Sequence, residues 1–324
     1  MTTHDLPRDV GAEPAPWSFT GTSGGEGFVS QLSGGPVHWV RWGAGEGADA
    51  DPLLLVHGLG GSHLNWGLVA PEWAKDRTVY AVDLRGFGMT PGHPLPTSVT
   101  ANRDLVIAFV EQVVGRPVVL VGNSMGGLVS TLVAHRRPDL VVATVLVDPA
   151  LPLVRARPDP AVAARFGLFA IPGFAELAMR RNRARTSPQA LVAQLIALCF
   201  ADPSRADPRM LEEAAALVRA RAEEPGLGDV ERGFTGAARS LMLLLGRRRS
   251  YWRLLTELRL PVLLIQGDQD RLAHVEGARR VAGDNPRWTY VELPDVGHTP
   301  QLEVPDETAR LVSGWLRDSL RTEA

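Results

Sequence analysis

One stretch, Val118-Val-Leu-Val-Gly-Asn-Ser-Met-Gly-Gly-Leu128, constrains the fold of this chain more than any other part of the sequence. Its first residues are apolar and β-branched, which is typical of a buried strand, and the residues after Ser124 have the composition of a helix. Between the two lies Gly-x-Ser-x-Gly, in which Gly122 and Gly126 permit a turn too tight for larger side chains. We therefore expect Ser124 at a sharp strand-to-helix turn, where its hydroxyl group is a candidate nucleophile.

A serine hydroxyl is a weak nucleophile at neutral pH, so this interpretation requires a base and a third group that orients the base. His298 is the candidate base, because it lies on a loop that follows a predicted strand at residues 288–293. Asp270 is the first choice for the orienting acid. It lies on the loop that leaves a second predicted strand, residues 260–267.

Two other carboxylates compete with Asp270. Asp148 ends a further predicted strand, residues 141–148, and Asp268 lies two residues before Asp270 on the same loop. All three could reach a histidine that lies above the strand ends, so they remain alternatives at this stage.

With Asp270 as the acid, the chain order is serine, aspartate, histidine, and in this order the chain resembles the α/β-hydrolase family. The resemblance covers nearly the whole chain. It implies an α/β fold with a mostly parallel eight-stranded sheet, helices on both faces and an inserted helical cap. Five motifs in the family's order carry it: His57-Gly-Leu-Gly-Gly61, Asp83-Leu-Arg-Gly-Phe-Gly88, the serine turn, Gly267-Asp-Gln-Asp270 and Gly297-His298.

The resemblance also implies an oxyanion hole made of two backbone N–H groups. These are the amide of Leu59, with Gly60 as the alternative, and the amide of Met125. Two amides on rigid turns can stabilise negative charge on a carbonyl oxygen, and the loss of one costs about 3 to 4 kcal/mol. His57 is expected to order its loop and to transfer no proton.

From Pro52 the predicted strands and helices alternate, which favours a parallel sheet with ligands bound at the carboxyl ends of its strands. Strands are expected near residues 53–56, 78–82, 117–121 and 142–147, and helices near 65–74, 100–114 and 125–136. A hairpin of residues 28–33 and 37–42, with Gly34-Gly35-Pro36 as its turn, starts the sheet. The expected organisation is a loose leader (1–26), an α/β core (27–150 and 259–324) and a cap of four or more helices (151–258).

The charge distribution excludes some classes of partner. With 34 basic and 36 acidic side chains, the formal net charge of −2 gives no global attraction to nucleic acid or to an anionic membrane. Residues 151–259 carry eighteen arginines and eleven acidic residues, a net charge of +7, which leaves −9 for the remainder. These arginines are expected on solvated helix faces, with a basic mouth that attracts anionic substrates as the alternative.

The N-terminal residues show neither the basic nor the apolar segment of a signal peptide, and no apolar run is long enough to span a membrane. The single cysteine, Cys199, excludes an intramolecular disulfide and a cysteine-rich metal site. The cytoplasm is therefore the expected location.

These observations predict a serine hydrolase that cleaves carboxylic esters of small to medium hydrophobic molecules, with no cofactor and no metal. A small-molecule substrate is the only partner expected, and the oligomeric state is left open. Three alternatives remain: a hydrolase of carbon–carbon bonds in meta-cleavage diketones, a cofactor-free haloperoxidase, and a non-catalytic ligand receptor. The first is suggested by Gly122-Asn-Ser-Met-Gly-Gly127, whereas Leu59-Gly-Gly-Ser62 and Thr299 depart from the pattern of those enzymes.

Overall fold

The protein is described by a computed structural model over residue 21 and residues 24–43, 50–152 and 173–320. Apolar β-branched runs bounded by glycine, proline and polar residues form its strands. The strands are β1 (Glu26–Leu32), β2 (Gly35–Trp42), β3 (Leu53–Val56), β4 (Val79–Val82), β5 (Val118–Asn123), β6 (Val141–Val147), β7 (Val262–Gly267) and β8 (Thr289–Leu293).

All eight strands belong to one sheet with the order β1-β2-β4-β3-β5-β6-β7-β8. The β1/β2 and β2/β4 pairs are antiparallel and the other five pairs are parallel. The predicted eight-stranded, mostly parallel α/β sheet is therefore confirmed. The chain moves from β3 to β4 on one side and then to β5 on the other, so a topological switch point lies between the carboxyl ends of β3 and β5.

The first hairpin is tighter than the sequence predicts. Leu32 pairs with Gly35, so only Ser33 and Gly34 form the turn, and the predicted Gly34-Gly35-Pro36 turn is wrong. Pro36 already belongs to β2, where it pairs with β1 only. β4 pairs with β2 only from Trp39 onwards. The missing N–H of Pro36 therefore removes no hydrogen bond between β2 and β4.

Helices cover both faces of the sheet, and alternate strand residues face each of them. On β5, Leu120 belongs to the core beneath α2 and α3, while Val119 and Val121 belong to the core beneath α11. The helices are α1 (Ala70–Trp73), α2 (Val99–Phe109, extended by a wider turn to Val114), α3 (Met125–Arg136), α4 (Phe174–Arg185), α5 (Pro188–Cys199), α6 (Pro208–Glu223), α7 (Val230–Gly246), α8 (Arg248–Glu257), α9 (Val275–Asp284), α10 (Pro300–Glu303) and α11 (Pro305–Leu320).

Helices α4 to α8 lie between β6 and β7, and we call them the inserted helices. The sequence also predicts helical stretches within this region at 166–171, 190–200, 211–222 and 241–245. The second lies within α5 except for Phe200, which follows the helix, the third lies within α6, and the fourth is near the end of the longer α7. The stretch at 166–171 and most of the expected leader lie outside the described residues.

Helix α8 packs on the core and not only on the other inserted helices. Tyr251 and Leu255 are buried in the same core as Leu120, and the Tyr251 hydroxyl donates to the carbonyl of Ala150 at 3.0 Å. Among the described helices, none combines the length and the apolarity needed to cross a bilayer.

Candidate active site

Ser124 lies between the end of β5 and the start of α3, with φ of 54° and ψ of −118°. A non-glycine residue at positive φ is strained by about 1 to 3 kcal/mol and persists only where its surroundings hold it. Here the Ser124 amide donates to the carbonyl of Val147 at 3.1 Å, and the Ser124 carbonyl accepts from the amides of Gly127 and Ala150, both at 3.0 Å. The backbone of β6 and α3 thus fixes the predicted turn.

The two glycines of the motif are required by close backbone approach. A Cβ on Gly126 would lie 2.0 Å from the carbonyl oxygen of Val56, and one on Gly122 would lie 2.5 Å from the carbonyl oxygen of Gly126. Any side chain at either position would force β3, β5 and α3 apart. The turn can therefore hold Ser124 beside the end of β3 only because these positions lack a Cβ.

His298 follows β8 and is buried together with Asp270, which follows β7. The His298 Nδ1 lies 2.7 Å from Oδ2 of Asp270. Because Nδ1 carries the proton in this pair, Nε2 is the ring nitrogen that can accept a proton.

Asp270 is held as an anion by several donors. Its Oδ1 accepts from the amides of Leu272 at 2.7 Å and Ala273 at 2.9 Å. Burial alone would raise the pKa of Asp270, but His298 and these two amides more than offset it, so the pKa lies below the ordinary value.

The alternative acids occupy different positions. Asp268 accepts from the amide of Asp295 at 2.8 Å, away from the histidine ring. Asp148 is buried next to Asp270, but its recorded hydrogen bonds are to Gln266 and Gly267 and not to His298. The structure therefore brings Asp270 into contact with the histidine and places Asp148 behind it.

Asn123 joins the serine turn to the histidine loop. Its Nδ2 donates to the carbonyl oxygens of Val147 and His298, both at 3.0 Å. The sequence analysis did not assign this residue a role. A polar residue that ends an apolar strand next to the candidate nucleophile is the signal that could have identified it.

The loop after β3 runs beside Ser124. A Cβ on Gly58 would lie 3.0 Å from the Cβ of Ser124, so the following Leu59 amide belongs to a segment in contact with the serine. Gly60 has φ of 81°, and the Gly61 amide closes a turn by donating to the carbonyl of Gly58 at 3.1 Å. Met125 is the first residue of α3, where the amide has no acceptor within a helix.

His57 orders this loop. The Leu84 amide donates to its Nε2 at 3.0 Å, so the ring proton is on Nδ1, which lies 2.7 Å from the carbonyl oxygen of Gly58. Burial lowers the pKa of His57 to about 4. A neutral ring with both nitrogens engaged is unavailable as a general base.

Asp83 fixes the other end of the same loop. Its Oδ1 accepts from the His63 amide at 2.7 Å, and its Oδ2 lies 2.8 Å from Nδ1 of His38. Burial by itself would raise the pKa of Asp83, but the two histidines hold it well below the usual range. His57 and His63 thus attach both ends of the loop to the Asp83 region.

Glu303 ties the histidine loop to the inserted helices, and the sequence analysis missed it. This buried carboxylate accepts from the amides of Gly297 at 2.8 Å, Ala201 at 3.1 Å and Asp202 at 2.9 Å. In the same contact, the His298 amide donates to the carbonyl of Cys199 at 2.6 Å, at the end of α5. His298, the candidate base, is therefore positioned partly by contacts with the end of α5 and the residues that follow it.

Two groups of side chains in the described part of the chain bring histidine and carboxylate ligand atoms within 4.8 Å of one another. The first is His38, His63 and Asp83, and the second is Asp148, Asp270 and His298. In both, hydrogen bonds between the histidines and the carboxylates account for the arrangement.

Apolar residues of the inserted helices face the loop beside Ser124. Leu59, Met179 of α4 and Phe234 of α7 all pack against the same buried pair, Ala175 and Ala238. A Cβ on Gly60 would lie 3.2 Å from the Phe234 ring. Phe87, on the loop after β4, contacts the same ring at a centroid distance of 6.2 Å. This side of the site is apolar.

Several arginines of the inserted helices are neutralised within them. Arg183 pairs with Glu231 at 3.0 Å and Arg239 with Glu176 at 3.0 Å, while Arg180 pairs with Asp229. These pairs favour the expectation of solvated helix faces over a basic mouth.

The model of the alpha/beta hydrolase family matches residues 53–311. The chain belongs to this family.

Three curated relatives differ in activity. The chain is 27% identical over 291 residues to the dihydrolipoyllysine-residue acetyltransferase component of the acetoin cleaving system of Pseudomonas putida, covering 89% of this chain and 68% of that protein. It is 32% identical over 115 residues to a mouse (lyso)-N-acylphosphatidylethanolamine lipase, covering 34% of each chain. It is 38% identical over 109 residues to 2-hydroxymuconate semialdehyde hydrolase of Pseudomonas sp. (strain CF600), covering 31% of this chain and 36% of that one.

Among solved structures, a thermophilic esterase from Thermogutta terrifontis superposes with a TM-score of 0.66 at 24% identity, covering 90% of this chain and 98% of that chain. This likeness shows a shared fold. The chain spans about two thirds or less of the length of these curated relatives.

Proposed function

We propose that this protein is a serine hydrolase that cleaves carboxylic esters of small to medium hydrophobic molecules through an acyl-enzyme intermediate. The observation that carries the proposal is the 2.7 Å contact between His298 and Asp270, together with the hydrogen bond by which Asn123 ties the His298 loop to the strained Ser124 turn. A nucleophile, a base and a group that orients the base are the minimum set for this chemistry.

In the proposed mechanism, Ser124 Oγ attacks the ester carbonyl while Nε2 of His298 accepts its proton. Asp270 keeps the proton on Nδ1 and stabilises the imidazolium as it forms. The amides of Leu59 and Met125 donate to the oxyanion, and His298 then returns the proton to the leaving alcohol. Water repeats the same steps to release the acid and to regenerate Ser124.

The apolar cluster that gathers Leu59, Met179 and Phe234 around Ala175 and Ala238 supports a hydrophobic substrate. We propose that the inserted helices act as a cap, residues 151–258, whose apolar side chains contact the acyl or alcohol group and exclude water. The similarity to a (lyso)-N-acylphosphatidylethanolamine lipase over 115 residues agrees with ester chemistry.

Carbon–carbon bond hydrolysis is the second candidate, because a 2-hydroxymuconate semialdehyde hydrolase is 38% identical over 109 residues. The loop Leu59-Gly-Gly-Ser62 and Thr299 after the histidine weigh against it. Fold and triad alone do not fix the reaction.

The test is a fluorophosphonate probe followed by a substrate panel. The wild type should be labelled, Ser124→Ala should not, and Ser130→Ala, which changes a buried serine of α3, should be labelled like the wild type. Purified enzyme should then hydrolyse p-nitrophenyl esters from acetate to laurate, at rates that Ser124→Ala loses. Turnover of a vinylogous diketone without ester hydrolysis would support the second candidate, and an unlabelled, inactive wild type would support a ligand receptor.

A further inference from the structure

A second buried carboxyl group lies directly behind the proposed acid. Asp148 follows β6 with φ of 43°, and its Oδ1 accepts from Gln266 Nε2 at 2.7 Å and from the amide of Gly267 at 2.9 Å. Its Oδ2 is buried and has no hydrogen-bond partner among the residues that the structure describes. Two donors therefore face Asp148, and both face the same oxygen.

Asp270 differs in this respect. In addition to the Leu272 and Ala273 amides at Oδ1, its Oδ2 receives His298 Nδ1 at 2.7 Å and Gln266 Nε2 at 3.2 Å. Four donors thus face Asp270, against two for Asp148. A carboxylate is acceptor-only and uses every donor it is offered, whereas a protonated carboxyl group is an acceptor that also carries a donor.

The two carboxyl groups lie close together in a buried site. Asp148, Asp270 and His298 each place a ligand atom within 4.8 Å of the others. Two carboxylates that share a buried site repel each other, so one of them keeps its proton. Burial and the negative charge of Asp270 raise the pKa of Asp148 well above its ordinary value.

The other titratable groups around Asp148 do not reverse this. Glu303 adds a second negative charge, and Tyr290 is close enough to interact with Asp148 electrostatically. The groups that face Asp148 from the strand β7 are the neutral Gln266 and a backbone amide. His298 is the nearest cation when protonated, and its Nδ1 donates to Asp270.

Gln266 connects the two carboxyl groups. Its Nε2 is surrounded by four acceptors: Asp148 Oδ1, Asp270 Oδ2 and the carbonyl oxygens of Gly267 and Ala273. This surrounding fixes which end of the amide is the nitrogen. Gln266 is therefore a direct link between Asp148 and Asp270.

We propose that Asp148 is the protonated member of a buried carboxyl pair and acts as a positioning residue, which through Gln266 keeps the single negative charge of the pair on Asp270. The proposal rests on the proposed function, because it concerns the acid of that same site. In it, Asp148 touches neither substrate nor His298.

The first experiment measures thermal melting of the wild type, Asp148→Asn and Asp76→Asn between pH 5 and pH 8. A carboxyl group that is protonated when folded and ionised when unfolded releases a proton on unfolding, so its contribution to stability falls as pH rises above the unfolded pKa of about 4. Asparagine removes this penalty. The Tm of Asp148→Asn relative to the wild type should therefore increase steadily from pH 5 to pH 8.

Asp76→Asn is the matched control, because it removes the carboxyl group of an exposed aspartate. Its Tm relative to the wild type should be independent of pH over this range. A pH-independent difference for Asp148→Asn as well would mean that Asp148 is ionised in the folded protein, and it would overturn the proposal.

The second experiment compares ester hydrolysis by Asp148→Asn, Asp148→Leu and Asp270→Asn. Asparagine offers an oxygen to Gln266 and Gly267, so Asp148→Asn should retain more than a tenth of kcat. Leucine offers none, so Asp148→Leu should lose at least a further factor of ten in kcat with little change in KM. Asp270→Asn should lose about 10⁴, as removal of an orienting acid does elsewhere.

Two results would contradict the positioning role. A loss for Asp148→Asn as large as that for Asp270→Asn would make Asp148 the acid that orients His298. A folded Asp148→Leu with the kcat of the wild type would show that Asp148 positions nothing. The melting experiment uses no substrate, so a protein that hydrolyses no ester but shows the pH-dependent Tm difference would refute the proposed function and leave the carboxyl pair standing.

Discussion

The residue after the candidate nucleophile has an expendable side chain and, in the proposed mechanism, an essential amide. Met125 is the first residue of α3. At this position the N–H group makes no hydrogen bond within the helix, and proline is tolerated. This allows the amide to be removed without breaking a helical hydrogen bond. The strained φ of Ser124 just before it makes a folding check necessary.

We expect Met125→Leu to keep kcat within about tenfold of the wild type, since apolar swaps of similar volume cost less than about 1.5 kcal/mol. Met125→Pro removes the oxyanion donor and should lower kcat by about 10² to 10³. Circular dichroism and thermal melting must first show that the variant is folded. A folded Met125→Pro enzyme with near wild-type turnover would show that this amide is not part of the oxyanion hole.

At the scale of elements, Glu303 of α10 holds the histidine loop and the inserted helices together. It accepts hydrogen bonds from the amides of Gly297, Ala201 and Asp202. Glu303→Gln replaces one accepting oxygen by a donor that faces these amides. We expect a loss of about 1 to 3 kcal/mol in the free energy of unfolding, which urea denaturation would measure.

The same variant should also lower kcat, because the loop that Glu303 holds carries His298. The matched control is Glu307→Gln, which changes an exposed glutamate in the first turn of α11 and should resemble the wild type in both measurements. Wild-type stability and kcat in Glu303→Gln would show that the contact is unimportant.

The sequence predicts the elements that are made of contiguous apolar residues, and it fails where a role depends on distant partners. The runs at β3, β5, β6 and β7 were identifiable because both faces of these strands are buried. Helix α8 contains Arg248, Arg249 and Arg253, and its apolar positions are too few to stand out in the sequence. Glu303 bonds residues about one hundred positions away, so nothing in its own neighbourhood indicates its role.

The candidate site shows the same difference between what a local pattern predicts and what depends on distant contacts. Ser124, Asp270 and His298 each follow a recognisable strand, so their positions above the sheet follow from the pattern. Gln266 could have been suspected, because it is the one polar side chain in the otherwise apolar β7. Its contact with two carboxyl groups depends on the register of β6 and β7, which a single sequence does not specify.

At the scale of the whole molecule, the buried histidines make the fold sensitive to acid. His57 has a pKa of about 4 when folded and about 6.5 when unfolded, so unfolding takes up a proton between these values. Its contribution to stability is complete above pH 6.5 and is lost as pH falls towards 4, by about 3 kcal/mol in all. Acid should therefore lower the free energy of unfolding through His57.

The measurement is the free energy of unfolding by urea from pH 7.5 to pH 4.5. His57→Gln lacks the titrating ring, so its stability should fall less steeply with acidification than that of the wild type. His135→Gln changes an exposed histidine at the end of α3 and should keep the wild-type slope. Equal slopes for the wild type and His57→Gln would refute this account.

Helix α8, within the proposed cap, also contributes buried side chains to the core of the sheet. Tyr251 and Leu255 belong to the main core. Excision of residues 151–258 would therefore expose the apolar core side chains that these two residues cover. An excision that ends before Arg248 retains that helix. It would still remove Cys199, whose carbonyl accepts from the His298 amide.

The contact between Gly297 and the end of α5 has a consequence for recombination of this protein with its relatives. A Cβ on Gly297 would lie 2.2 Å from the carbonyl oxygen of Cys199. The backbones of the two segments therefore pack so closely that no side chain fits between them. A chimera that imports another protein's inserted helices must therefore import the matching residues 297–303 as well. Exchange of substrate preference between family members then requires two segments to be exchanged together, the inserted helices and residues 297–303. Cys199 and Gly297 are about a hundred residues apart in the chain but in contact in the fold.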